Sequence, residues 1–191
     1  MATNTDDRLS ARERLCAAAT ELFYTEGIHT VGIERVIERA GVAKATLYNV
    51  FGSKNGLIKA YLLERHEALV GWLSQAADGA GEPRERILAV FDVLGALISD
   101  PTYRGCPFMN ASAESPEAEV QEVAGLHRSW VRRMFETLAE EAGTKNPGLV
   151  AQQLVLLYDG VLVGSQLDRD ESAAAAAREV AATIVDTATP A

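Results

Sequence analysis

At 191 residues the chain can bury a core without metals or disulfides, which excludes a small cross-linked scaffold. Hydrophobic residues make up 48% of it and aromatics only 6%, and long stretches of Ala, Leu, Glu and Arg with few prolines favour helix over strand, so an all-α protein is expected. A formal net charge of −9 argues against a nucleic-acid partner unless the charge is segregated along the chain.

Leu15, Ala18, Ala19, Leu22 and Phe23 recur at helical spacing and Gly27 supplies a stop, so a first amphipathic helix is expected from about Arg8 to Glu26. Positions 1–7 ahead of it hold two acids and no apolar stretch, unlike a secretory signal. Ile33, Val36, Ile37 and Ala40 form a second short stripe ended by Gly41, and a third helix, about Lys44 to Phe51, follows after Gly41, Val42 and Ala43. Gly52 breaks the chain and Ser53 caps a longer fourth helix carrying Leu57, Ile58, Tyr61 and Leu62. Asp78 to Glu82, with Gly79 and Gly81, reads as a loop. Pro83 opens a helix to about Ser99, which Asp100-Pro101 stops. A short segment from Arg104 to about Glu114, then Ser115-Pro116, precede a long helix from about Glu117 to Glu141. After a break from Gly143 to Pro147 come two last helices, about Gly148 to Leu167 and Ser172 to Thr187, separated by the charged turn Asp168, Arg169, Asp170, Glu171. The longest apolar run, Leu154 to Gly164, is interrupted by Asp159 and too short to span a membrane. The expected compartment is the cytoplasm, where Cys16 and Cys106 stay thiols.

Two short helices joined by a tight glycine-containing turn have the layout of a helix-turn-helix. Gly41 can take the left-handed conformation of the turn, and Val42 can fill the angle between the helices. On that layout Lys44, Ala45, Thr46, Tyr48 and Asn49 lie on and beside the exposed face of a recognition helix, with Leu47, Val50 and Phe51 turned inward. Lys44 and Asn49 can donate to base edges, Thr46 offers hydroxyl and methyl, and Tyr48 can reach a phosphate. Ser53 and Lys54 open the fourth helix, whose free N–H groups and positive dipole end favour a second phosphate contact. Thr30, Val31 and Gly32, at the start of the second helix, suit a third. The charge is segregated as such a role requires. Seven basic side chains (Arg8, Arg12, Arg14, Arg35, Arg39, Lys44, Lys54) and seven acidic ones (Asp6, Asp7, Glu13, Glu21, Glu26, Glu34, Glu38) cancel over residues 1–56, leaving the whole −9 to residues 57–191. Residues 40–63 contain no acid, only Lys44, Lys54 and Lys59.

The run Ala40-Gly41-Val42-Ala43-Lys44-Ala45-Thr46-Leu47-Tyr48, followed by Phe51-Gly52-Ser53-Lys54-Asn55-Gly56-Leu57, resembles the AGVS-x-GTLY-x-x-F-x-SKEEL signature of TetR-like bacterial regulators, over about the first 60 residues. The resemblance implies about nine helices: a helix-turn-helix DNA-binding domain at 1–53, then an effector-binding and dimerisation domain at 54–191. It also implies a homodimer paired through its last two helices, a repressor that binds double-stranded palindromic operator DNA and leaves it when a small molecule binds. The chain departs from the pattern at Val31 and Gly32, where relatives often carry Thr or Ser, and at Val50, where they often carry His. Side-chain contact with phosphate at the second helix then falls to Thr30 or to the backbone, including that of Gly32.

Farther along, Arg104-Gly105-Cys106-Pro107-Phe108-Met109-Asn110 is similar to an RGC-x-x-x-N stretch near the effector pocket in one group of such regulators. Cys106 invites a thiol- or electrophile-sensing alternative, against the ordinary fate of a free cysteine as a small buried side chain. Bulky groups cluster in the middle helices, and Tyr61, Phe91, Cys106, Phe108, Met109, Trp130, Met134 and Tyr158 are the expected lining of a largely apolar effector site. Trp72 and Leu94 belong to the same cluster. His127 and Arg128 could orient a ligand or lie at the surface, and Tyr158 and Asp159 read as a polar pair at a subunit interface. Gly160, Gly164 and Ser165 let helices approach closely, and with the Ala-rich last helix they favour a dimer. No nucleophile, phosphate-loop, dinucleotide or metal motif is present, and His29, His66 and His127 are far apart, so neither an enzyme nor a cofactor or metal is expected. A helical module that binds only protein is the remaining rival, and it gives no reason for the acid-free stretch.

Overall fold

In a computed structural model of the chain, residues 9–168 and 172–190 are described, and they form nine α-helices with no strand among them. The helices are α1 (Ala11–Glu26), α2 (Ile33–Ala40), α3 (Lys44–Phe51), α4 (Lys54–Gly79), α5 (Pro83–Ile98), α6 (Pro107–Glu114), α7 (Ala118–Glu141), α8 (Pro147–Leu167) and α9 (Ala173–Ala188). The expected all-α class is therefore observed. Positions 1–7, the expected helix start at Arg8, and Arg169, Asp170 and Glu171 of the expected turn lie outside the described residues.

The chain divides into two compact units. The first holds the described residues up to His66 together with Pro107–Gly125. Its first helix starts at a capping box: Ser10 Oγ accepts from the Glu13 N–H at 3.2 Å, while the Ser10 N–H donates to the Glu13 carboxylate at 2.7 Å. Two otherwise orphaned donors are satisfied reciprocally. Leu15, Ala19, Leu22 and Phe23 of α1 are buried with Val36 and Ala40 of α2 and Leu47 of α3. Leu57, Ile58, Tyr61 and Leu62 recur on one face of α4 and are buried too, with the Tyr61 ring edge-on to Phe23 at 5.8 Å. Helix α6 belongs to this unit. Its terminal Glu114 carboxylate accepts from the His29 N–H at 2.9 Å and lies where a Cβ on Gly27, φ +91°, would be.

The second unit holds Glu67–Cys106 and the described residues from Leu126 onward. Helix α9 packs on both α5 and α8. Its inward positions are Ala174, Ala177, Ala181 and Val185, small enough for close approach. A Cβ on Gly95 of α5 would stand 3.5 Å from that of Ala174, and one on Gly164 of α8 would stand 3.7 Å from that of Ala173. Gly164 thus serves packing within the protomer. Ion pairs fasten the outer edge of α9: Arg84 to Asp186 at 2.6 Å and Arg178 to Asp92 at 2.9 Å.

Helix α8 corrects an expectation. Among the described residues it is one helix long and apolar enough, by length and composition, to cross a membrane, because Pro147–Leu167 runs well past the uninterrupted apolar stretch. Its Asp159 is ion-paired with Arg128 of α7, and seven of its side chains, including Val150, Leu154 and Tyr158, are buried. That is the pattern of a core helix.

Candidate nucleic-acid interface

The turn between α2 and α3 is built around Gly41, which is left-handed at φ 63°, ψ 40°. Its N–H donates to Glu38 O at 3.2 Å and the Val42 N–H to Ile37 O at 3.1 Å, so the last carbonyls of α2 are satisfied as the chain reverses. Ala43 then holds extended geometry, and the Thr46 N–H donates to Ala43 O at 2.9 Å, starting α3.

Leu47 is fully buried and anchors α3. Lys44, Ala45, Tyr48 and Asn49, spaced by one and four residues, form its open face; Tyr48 is 43% exposed. Thr46 is half-buried at the edge of that face. Val50, expected to point inward, is 37% exposed. Phe51 takes the inward seat at this end, with the Arg12 guanidinium over its ring at 5.1 Å.

Ser53 caps α4, its Oγ accepting from the Gly56 N–H at 3.0 Å. Lys54 is half-buried beside that cap, and burial draws its ammonium pKa down, opposed by the carboxylate of Glu114. At the start of α2, Thr30 and Gly32 are exposed and Val31 is fully buried. Gly32 occupies the cap position without a side-chain hydrogen bond. Glu34 curls back over it: one carboxylate oxygen lies 3.7 Å from where a Gly32 Cβ would be, and the other pairs with Lys44 Nζ at 2.9 Å. The hydrogen bond from Lys44, with one from its own backbone N–H, lowers the Glu34 pKa, and Glu34 raises that of Lys44.

Sequence reasoning missed Glu34 and Glu114 as partners of these cations. Both are tertiary, Glu34 as an ion pair and Glu114 through its field alone; the exact cancellation of charge over residues 1–56 was a signal for the first only.

The expected effector residues fall into both units. In the first, Tyr61 and Phe108 are buried, Phe108 edge-on to His66 at 6.4 Å, while Met109 is exposed. In the second, Phe91 stacks on Phe135 at 5.9 Å and Tyr158 meets Phe135 edge-on at 6.3 Å, so the structure brings Phe91 and Tyr158 together around a third ring. Cys106 is 6% exposed and close enough to Tyr158 to help raise its pKa, after burial itself. Trp130 and Met134 are half-buried one turn apart on α7. His127 is buried and stacked on Trp130, not a surface residue, and the Arg128–Asp159 pair closes within one protomer, as does the burial of Tyr158. Trp72, 52% exposed, rims an open groove of about 460 Å³ with Gln75, Ala76, Val93, Ala96, Leu97 and Asp100. None of the eight expected effector residues lines it.

A glycine-turned helix pair whose second helix carries no acid of its own and presents an open face, with cations at its flank, defines a helix-turn-helix DNA-binding protein. The profile of bacterial regulatory proteins of the tetR family matches residues 15–61, and that of the tetracyclin repressor-like C-terminal domain matches residues 83–181. The chain belongs to the TetR family of transcription regulators, which are not enzymes. It is 36% identical over 134 residues to the transcriptional activator FasR of Mycolicibacterium smegmatis, a match covering 69% of this chain and 60% of that relative. It is 25% identical over 172 residues to the transcriptional repressor DhaR of a Mycobacterium species, covering 85% of this chain and 86% of the other. A TetR-family regulator from Streptomyces coelicolor superposes with a TM-score of 0.87 at 31% identity, over 94% of this chain and 96% of that one.

Proposed function

We propose that the chain is a ligand-responsive repressor. A homodimer grips palindromic operator DNA with α3 of each subunit in successive major grooves, and a small, largely apolar effector releases it. The observation that carries the DNA half is the open face of Lys44, Ala45, Tyr48 and Asn49 behind the left-handed Gly41 turn. Thr46 supports it from the edge, Lys54 clamps a phosphate at the start of α4, and Thr30 with the backbone of Gly32 flanks the second helix. Residues 1–53 carry this contact and residues 54–191 carry response and pairing, in the cytoplasm.

Pairing through α8 and α9 is supported by exposed Leu149, Leu156 and Val163, which repeat every seven residues along α8, together with Val180 on α9. The response rests on the second unit, where Phe91, Cys106, Trp130, Met134 and Tyr158 gather bulky, polarisable groups. The ligand works through its differential affinity for the DNA-competent and the released states. The test is fluorescence anisotropy on duplexes drawn from DNA flanking the protein's own gene, followed by a thermal-shift screen of small apolar ligands and a release assay on the hits. Absence of binding to every flanking duplex at low salt overturns the DNA half; a stabilising ligand that leaves the bound complex intact overturns the response half.

A further inference from the structure

Three cations on the second and third helices of the first unit are already ion-paired. Arg35 pairs with Glu26, Arg39 with Glu21 at 2.7 Å and Lys44 with Glu34 at 2.9 Å. The first two pairs tie α2 back to α1. The third differs, because it reaches across the turn to the first residue of the recognition helix.

Glu34 also occupies a second position that a phosphate would want. It sits in the first turn of α2, its carboxylate accepting from its own backbone N–H and lying over the uncapped Gly32. A helix N-terminus with free N–H groups next to a lysine attracts an anion. Here the anion is part of the chain. Both partners are more than half exposed, at 67% for Glu34 and 55% for Lys44, so the pair exchanges readily and is accessible to an incoming duplex.

We propose that Glu34 is an intramolecular stand-in for phosphate, masking Lys44 and the start of α2 and so keeping the reading head's affinity for arbitrary DNA low. The proposal rests on DNA binding through α3. A neutral pair releases no counterion when DNA arrives, and Lys44 must give up one anion to gain another. Removing the Glu34 charge frees Lys44 to neutralise a phosphate on any sequence and removes a carboxylate that faces the duplex. One further released counterion steepens the slope of log K against log salt by about 0.9, which near 0.1 M salt corresponds to a gain of about eightfold.

The test compares wild type, Glu34→Gln and Glu38→Gln by anisotropy on a labelled mixed-sequence duplex between about 50 and 200 mM salt, with thermal melts to show that each variant is folded. Glu38→Gln removes the same charge from the exposed surface of the same helix without touching Lys44. Glu34→Gln is expected to bind about five- to tenfold more tightly with the steeper slope, and Glu38→Gln to stay within about twofold of wild type with no change of slope. Equal affinities and slopes for wild type and Glu34→Gln, weaker binding by Glu34→Gln, or the same gain from both variants overturns the masking role and leaves DNA binding standing. If none of the three proteins binds the mixed-sequence duplex at the lowest salt or any flanking duplex, the DNA-binding reading fails and the proposal with it.

Discussion

Lys44 and Lys54 carry the same charge in different settings. Lys44 is held by the carboxylate of Glu34, whereas Lys54 sits half-buried at the cap of α4 with its pKa drawn down by burial and Glu114 opposing the shift. A half-buried ammonium beside free helix N–H groups is preorganised for a phosphate. Lys54→Ala is therefore expected to weaken DNA binding on all sequences alike and to lower the salt slope by about 1; titration at several salt concentrations measures it, and an unchanged slope removes Lys54 from the phosphate contacts. The two thiols call for the opposite expectation, resistance. Both are buried thiols outside any disulfide, and the Cys16 pKa is pushed up to about 12, first by burial and then by a hydrogen bond to Glu64. A thiol raised above its ordinary pKa contributes stability that is complete below about pH 9 and is lost as pH rises toward 12. Cys16→Ala should flatten the alkaline fall in melting temperature over that window. In the native protein at neutral pH both Cys16 and Cys106 should resist alkylation and react fully in denaturant, and diamide should leave the DNA complex intact. Release of DNA by diamide, abolished by Cys106→Ser, would restore the sensing alternative.

Among the elements, the α2–α3 turn depends most on one residue. Gly41 stands at φ 63°, and a Cβ added there would meet nothing within 4 Å, so a substitution is penalised by backbone conformation alone. Gly41→Ala is expected to cost about 1–2 kcal/mol in a denaturation curve and to weaken DNA binding further by loosening the angle of α3; a neutral result would show that the turn relaxes. This turn was legible in the sequence because its signals are local: Gly41 as a stop, the apolar stripe from Ile33 to Ala40, and Leu47 as anchor. Helix existence and order followed from the same local periodicity, and the ends of α3 and α5 fell within a residue of expectation. What the sequence hid was tertiary. Glu34 on Lys44 joins residues ten apart, and Glu114 on the Gly27–His29 turn joins residues 85 or more apart. The bulky residues of the middle helices illustrate the same limit. The sequence marked Phe91 and Tyr158 as bulky residues of a common cluster, but not that Phe135 would stand between them, stacked on the first and edge-on to the second.

At the level of the whole molecule, charge and apolar surface act on different parts of the chain. The acidic excess falls beyond residue 56, so the stretch that carries α3 is the part of the sequence least repellent to a polyanion, and its contacts should depend strongly on salt. One reading head offers few phosphate and base contacts, and useful affinity requires a second one held at a fixed spacing, about 34–36 Å or a multiple of it for successive turns of the duplex. On the proposed pairing, the exposed Leu149, Leu156 and Val163 stripe would bring in that second head, since α8's inner face is already taken by α9 and the protomer core. Leu156, 64% exposed, is the most exposed of the three. Leu156→Glu should leave the protomer folded while setting two carboxylates against each other across a symmetric interface. Light scattering after size exclusion is expected to report a monomer where wild type gives a dimer, with helicity retained by circular dichroism. Binding to an operator duplex should fall by about 10²–10⁴, the advantage that joining two sites confers, while binding to a half-site duplex should change little. A variant that remains dimeric would move the pairing surface away from the α8 stripe, and a monomer with full operator affinity would remove dimerisation from the mechanism of recognition.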